Sequence, residues 1–218
     1  MSVTMPAALA VFDRILCGVD ATPESLEAVR QAKRLRSADG TLRSHLLAGH
    51  PAPCLLDEIE ETNATLVAIG PHGHSRAAGM LLGGVAARLI HAAPCSVLLA
   101  RPPQFGEFPA SIIVGVDGSS ESLAAAAVAK SIAERFGSEY LIVAATGGKP
   151  IDLPRIQALS PYFVTDPGRP ADALTELSKE ADLLVVGSRG LHGPRALGSV
   201  SERVGHRASS SVLVVRNP

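Results

Sequence analysis

The chain has 218 residues, 46% hydrophobic and 19% charged, with a formal net charge of −1. That apolar share excludes disorder for most of the chain. The neutral balance, with no Trp and 3% aromatics, lacks the basic excess and stacking platforms that nucleic-acid and membrane-surface partners need.

No apolar run approaches the roughly 20 residues of a membrane span. The opening MSVTMPAALAVFDR has no basic n-region, so no secretory leader is expected. Cys17, Cys54 and Cys95 are odd in number and widely spaced. They form no CxxC pair and make a poor disulfide framework, so the expectation is a reducing, cytoplasmic setting and no metal site.

In chain order, Ile15–Val19 reads as an apolar strand ending at Asp20, followed by a helix over Pro23–Arg36. Leu42–Ala48 is the only extended stretch before a helix at Cys54–Thr62. Leu66–Ile69 is a strand, Gly84–Ala92 a helix and Val97–Ala100 a strand. Arg101–Pro109 is a Pro-containing link. Then Ser111–Val116 is a β-branched strand, and Glu121–Phe136 an Ala-rich helix stopping at Gly137. Tyr140–Ala145 is a strand, Tyr162–Thr165 a further short one, and Pro170–Glu180 a helix with Pro at its start. Leu183–Val186 and Val212–Val215 are apolar strands around a helix at Ser199–Ala208. Short apolar strands alternating with helices predict right-handed βαβ crossovers and a parallel sheet buried on both faces.

The two halves repeat each other. Val19-Asp20 matches Val116-Asp117, Gly70-x-x-Gly73 matches Gly187-x-x-Gly190, and Gly49-x-Pro51-Ala52 matches Gly168-x-Pro170-Ala171. Further on, Gly83, Val85, Arg88 and His91 match Gly198, Val200, Arg203 and His206, Ser96-Val97-Leu98 matches Ser211-Val212-Leu213, and Arg101 matches Arg216. The reading is two tandem α/β modules, residues 1–103 and 104–218. The first lacks about twenty residues, a strand with its connection, between its first helix and the Gly49 anchor.

In doubly wound sheets ligands bind beyond the carboxyl ends of the strands. Asp20 and Asp117 end first strands there, and glycine-bearing loops follow the fourth strands. Glycines let backbone approach a phosphate closely. The helix opening at Gly198-Ser199 points free N–H groups at the loop. Ser199 can cap that helix or donate to a phosphate, and Arg189, His192 and Arg195 add positive charge. The arrangement predicts an anion site for a di- or triphosphate. Taken singly, such glycines also serve as turns and such aspartates as helix caps; their joint occurrence in both halves favours the ligand reading. His91, His206, Arg88 and Arg203 read as surface or interface residues. No GxSxG, Walker GxxxxGK[ST] or HExxH motif supplies a nucleophile or base.

The pattern G-x2-G-x9-G-[S/T] after a strand, with Asp closing the first strand, resembles the nucleotide-binding signature of the universal stress protein family. Gly187-Ser-Arg-Gly190, Gly198-Ser-Val-Ser-Glu-Arg-Val204, Ser211-Val-Leu-Val-Val-Arg216 and Val114-Gly-Val-Asp-Gly-Ser119 carry the likeness. The resemblance implies two doubly wound modules of strand order 3-2-1-4-5, paired through their last strands within one chain or in a homodimer. It implies ATP, with or without Mg²⁺, as ligand and a regulatory role, with an unknown protein as downstream partner. In the second half it implies Asp117 at the adenosine end, Val143 or Ala144 as the adenine wall, and Gly187, Arg189, Gly190, Gly198, Ser199, Val200 and Ser201 along ribose and phosphates. In the first half it implies Asp20, Gly70, His72, Gly73, Gly83, Gly84 and Val85. Gly84 stands where the pattern has Ser or Thr, and only positions 191–197 separate Gly190 from Gly198, so the second loop is shorter than 74–82. The complete second module is expected to be the working site. Two alternatives stay open: a stress protein that binds no nucleotide and works through protein contacts, and a slow ATPase or adenylyl-transfer enzyme.

Overall fold

A computed structural model describes residues 12–20, 22–43, 48–72, 83–148, 150–160, 162–188 and 200–216. The first half runs β1 (Phe12–Cys17), α1 (Pro23–Leu35), β2 (Arg36–Arg43), α2 (Pro51–Thr62), β3 (Leu66–Ile69), α3 (Gly84–Ala92) and β4 (Ser96–Leu99). The second runs β5 (Ser111–Gly115), α4 (Ser120–Phe136), β6 (Glu139–Ala145), α5 (Leu153–Leu159), β7 (Val164–Asp166), α6 (Pro170–Leu177), β8 (Leu183–Gly187), α7 (Val200–Arg207) and β9 (Ser211–Val215).

Among the described residues nine strands form one sheet, ordered β2-β1-β3-β4-β9-β8-β5-β6-β7. The second half thus has the complete 3-2-1-4-5 order, and the first has the same order without its third strand. All pairs within a half are parallel; only the seam, β4 against β9, is antiparallel, with Leu98 opposite Leu213. The expected pairing of last strands therefore occurs inside the chain, and the two sheets are continuous.

Alternate residues of each strand feed two layers of core. Leu66, Ala68, Leu98, Leu183, Val185 and Leu213 lie on the α1 and α4 face. Val67, Ile69, Val97, Leu99, Leu184, Val186 and Val212 lie on the other, with Leu55, Leu89, Leu174 and Val204 of the opposite helices. Both layers cross the seam, which is why these strands read as unbroken apolar runs. α1 is capped by Thr22, whose hydroxyl accepts from Ser25 N at 3.2 Å, and α4 by Ser119, which accepts from Ser122 N at 3.3 Å. α4 ends at Gly137 in the left-handed conformation, φ +66°.

Three sequence readings are corrected. The second strand of the first half covers Arg36–Arg43 and so begins ahead of the expected Leu42, because α1 stops at Leu35 and the chain turns straight into the sheet; positions 44–47 of the expected Leu42–Ala48 lie outside the described residues. It bulges between the pairs Phe12–Arg36 and Arg14–Thr41. There a Cβ on Gly40 would sit 2.7 Å from Ser37 Oγ. The helix at Pro170 ends at Leu177 and tightens into a 3₁₀ turn over Ser178–Glu180. α5 was not foreseen: with seven residues and Pro154 inside, its period is too short to register. The stretch missing from the first half is the α5–β7 segment.

Among the described residues no helix is long and apolar enough to cross a membrane. Burial pushes the thiols of Cys17 and Cys95 up to about 12 and about 11. Native protein at pH 8 is expected to show one fast thiol, the half-buried Cys54, toward a disulfide reagent, and two slow ones. Because both folded values are raised, their contribution to stability is intact below the ordinary thiol value near pH 9 and is lost progressively as pH climbs from there through 11 and 12; urea midpoints from about pH 8 to 12 check it.

Candidate functional site

The Asp turns are built identically in the two halves. Asp20 Oδ1 accepts from Thr22 N (3.2 Å) and Thr22 Oγ1 (2.6 Å); Asp117 Oδ1 accepts from Ser119 N (3.0 Å) and Ser119 Oγ (2.6 Å). Each aspartate's N–H donates to a serine hydroxyl of the following helix, Ser25 or Ser122, at 3.3 Å. These are Asx turns that also orient the cap, so each carboxylate is rigidly positioned at the mouth of the sheet. The repeats Thr22-x-x-Ser25 and Ser119-x-x-Ser122 carried that signal in the sequence.

The first glycine of each loop meets the same turn. A Cβ on Gly187 would lie 2.5 Å from Glu121 O and 2.8 Å from Ser122 N; one on Gly70 would lie 3.0 Å from Glu24 Cβ and 3.2 Å from Ser25 N. Glycine here lets the end of the fourth strand pack against the backbone of the first helix. The fold thereby brings Asp20 beside Gly70 and Asp117 beside Gly187. Gly83 N donates to Pro71 O at 2.9 Å, closing the base of the first loop, and Gly83 precedes α3 with no side-chain cap. A Cβ on Gly84 would meet nothing within 4 Å among the described residues. Val85 and His72 are half-buried. At the start of α7, Val200 is exposed and Ser201 buried. Gly73, Arg189, Gly190, Gly198 and Ser199 lie outside the described residues.

Val143 and Ala144, expected as the adenine wall, have no exposed surface: Val143 packs into one core layer and Ala144 into the other. The structure does not bring their side chains to an open mouth. Two residues that sequence reasoning missed cover the Asp117 turn. Asp152 N donates to Asp117 O and Arg155 Nη1 to Gly118 O, both at 3.0 Å.

A second reciprocal constellation locks the halves together. Arg101, after β4, donates to Gly205 O of α7 (2.7 Å) and Ser210 O (3.1 Å), and its N–H to Ser211 Oγ (2.9 Å). Arg216, after β9, donates to Ile90 O of α3, and its N–H to Ser96 Oγ (3.2 Å). Each arginine caps the carbonyl end of the other half's last helix. Burial lowers the Arg101 guanidinium to about 10, so it stays charged at neutral pH. The matching of Arg101 with Arg216 and Ser96 with Ser211 was visible in the sequence, but their crossing over was not. Across the same seam His91 Nε2 lies 3.4 Å from Glu202 Oε1. No group of three His, Cys, Asp or Glu side chains able to hold a metal occurs among the described residues.

The sequence profile of the universal stress protein family matches twice, at residues 36–101 and 151–216. A universal stress protein of Mycobacterium tuberculosis is 30% identical over 227 aligned positions, covering 88% of this chain and 74% of the relative. One from Mycobacterium bovis is 32% identical, covering 87% and 74%. Among solved structures, a universal stress protein from Archaeoglobus fulgidus superposes with a TM-score of 0.72 at 20% identity, over 95% of this chain and 97% of that one. A protein from Pseudomonas aeruginosa described as a putative universal stress protein superposes at 0.73 and 16% identity, over 96% and 95%. Two matches of the family profile, tandem sheets of the same order and relatives aligned along most of both lengths agree: this chain belongs to the universal stress protein family.

Proposed function

We propose that this stress protein binds an adenine nucleotide, ATP foremost, at the mouths of its two sheets, and regulates through its bound state. The observation that carries the reading is the duplicated pairing of a rigid Asp turn with the glycine that ends the fourth strand, Asp20 with Gly70 and Asp117 with Gly187. Sequence duplication alone preserves a fold; preserving the same ribose- and phosphate-facing backbone in both copies fits a ligand. The residues fit the group at the α3 end, where among the described residues nothing crowds Gly84 and no side chain caps the first-turn amides. Gly73, Arg189, Gly190, Gly198 and Ser199 complete the phosphate loops in this reading, with Val200 and Ser201 opening α7 behind them. Mg²⁺, where present, neutralises the phosphates.

The test is titration of purified protein with a fluorescent ATP analogue, with and without Mg²⁺, to millimolar concentration. Saturable binding is expected, and its absence rejects the nucleotide. A second prediction concerns Gly84. Substituting Ser meets no neighbour among the described residues, restores the hydroxyl of the family pattern, and replaces a glycine at the first helical position, a gain of at most about 0.5 kcal/mol. G84S is expected to raise both the melting temperature and the affinity of the first half severalfold; unchanged affinity would show that the first half takes no phosphate. The covered Val143 and Ala144 favour one other reading, a module that works through protein contacts without nucleotide.

A further inference from the structure

The two halves contain an internal comparison at their mouths. Val19 and Val116 occupy equivalent positions, each just before its aspartate, yet Val19 is 54% exposed and Val116 only 5%. The difference coincides with α5, which the first half lacks. Ile156 of α5 is wholly buried in the same apolar cluster as Val116 and Ala144, with Ile151 packed at its edge. Gly118, at φ +83°, would place a Cβ 2.5 Å from Asp152 Cβ, so the start of α5 rests directly on the Asp117 turn.

We propose that α5 is a local cover, with Ile156 standing in the second half where a flat apolar ring such as adenine would stack, and that nucleotide enters there only when α5 lifts. This rests on the nucleotide reading above and deepens it: the first half is an open site and the second a gated one. The cover is held weakly compared with the strands beneath it. Seven residues form no stable helix alone. Leu153 and Leu159 are 40% and 38% exposed, leaving Ile156 as the helix's one buried side chain. The attachments to the turn are the Asp152 N–H and the Arg155 guanidinium, each on a backbone carbonyl. Segments with so few buried contacts open at lower free energy than the global fold. Lifting α5 would uncover Val116 and Ala144, so the burial of the expected adenine wall belongs to the closed state.

Hydrogen exchange and stopped-flow binding test this together, on the full chain in a Val19→Asp background that silences the first half. Amides of α5 are expected to exchange faster than those of β5, β6 and β8. Arg155→Ala should accelerate α5 exchange about tenfold, leave the strands unchanged, and speed association of a fluorescent ATP analogue by the same factor. Asp152→Ala, which removes the α5 cap on Arg155 N, should act in the same direction. Exchange of α5 in step with the strands overturns the cover whatever the nucleotide does. Faster exchange with unchanged association overturns the gate while leaving nucleotide binding intact. Normal α5 opening with no binding in any variant overturns the nucleotide reading and the gate with it.

Discussion

Asp182→Ala is expected to destabilise the protein by about 3–5 kcal/mol, the largest effect of any single polar substitution considered. Asp182 is 1% exposed, and its carboxylate accepts three backbone amides: Gln104 N (2.8 Å) and Phe105 N (3.0 Å) on Oδ1, and Ala110 N (3.0 Å) on Oδ2. These amides belong to the link between the halves. Alanine would strand all three donors beside a buried wall, each charge-assisted bond being worth about 1.5–3 kcal/mol before compensation by water. In the first half Thr65 does the corresponding work with a hydroxyl, accepting Asp13 N and Arg14 N at 3.2 Å, so Thr65→Ala should cost only about 1 kcal/mol. Urea denaturation of the two variants measures the contrast. A loss below about 1 kcal/mol for D182A would mean that burial of Phe108, and not the carboxylate, holds the link.

Arg101→Ala is expected to cost about 2–4 kcal/mol and to uncouple the halves. The guanidinium closes two carbonyls of the second half, and removal leaves Gly205 O and Ser210 O without it at the end of α7. Around it Gln31, itself buried, donates to the Arg101 backbone carbonyl at 2.6 Å and accepts from Ser211 Oγ at 2.8 Å, bonds that alanine keeps, so the loss is that of the guanidinium alone. Wild type should unfold in one transition, and R101A with a lower midpoint and a broadened or two-step curve. A single transition with an unshifted midpoint would show that the β4–β9 pairing and shared core suffice without the arginine. The reciprocal Arg216→Ala should loosen α3, because its guanidinium ends on Ile90 O.

Much of the fold was legible in the amino-acid order. Strands buried on both faces produce short runs such as Leu183–Val186, and parallel α/β packing leaves few other ways to bury them. The Asp turns and loop glycines were legible because backbone geometry demands specific residue types there: glycine where a Cβ would strike Glu121 O, and Asp or Thr where a turn closes on itself. The absence of one strand from the first half could be located by the spacing of anchors alone. The position of β2 could not, because α1 passes into it without the glycine or loop that marks the end of α4.

Sequence by itself determined the duplication, the order of the elements other than α5, and the Asp turns and loop glycines, since these follow from local periodicity and from steric limits on single residues. Only the tertiary structure decided that Arg101 and Arg216 exchange helix ends across the seam, that Asp182 gathers the link, and that Val116 is buried while Val19 stays exposed. Those are contacts between residues far apart in the chain, and nothing in either residue's neighbours along the sequence encodes which partner the packing will bring to it.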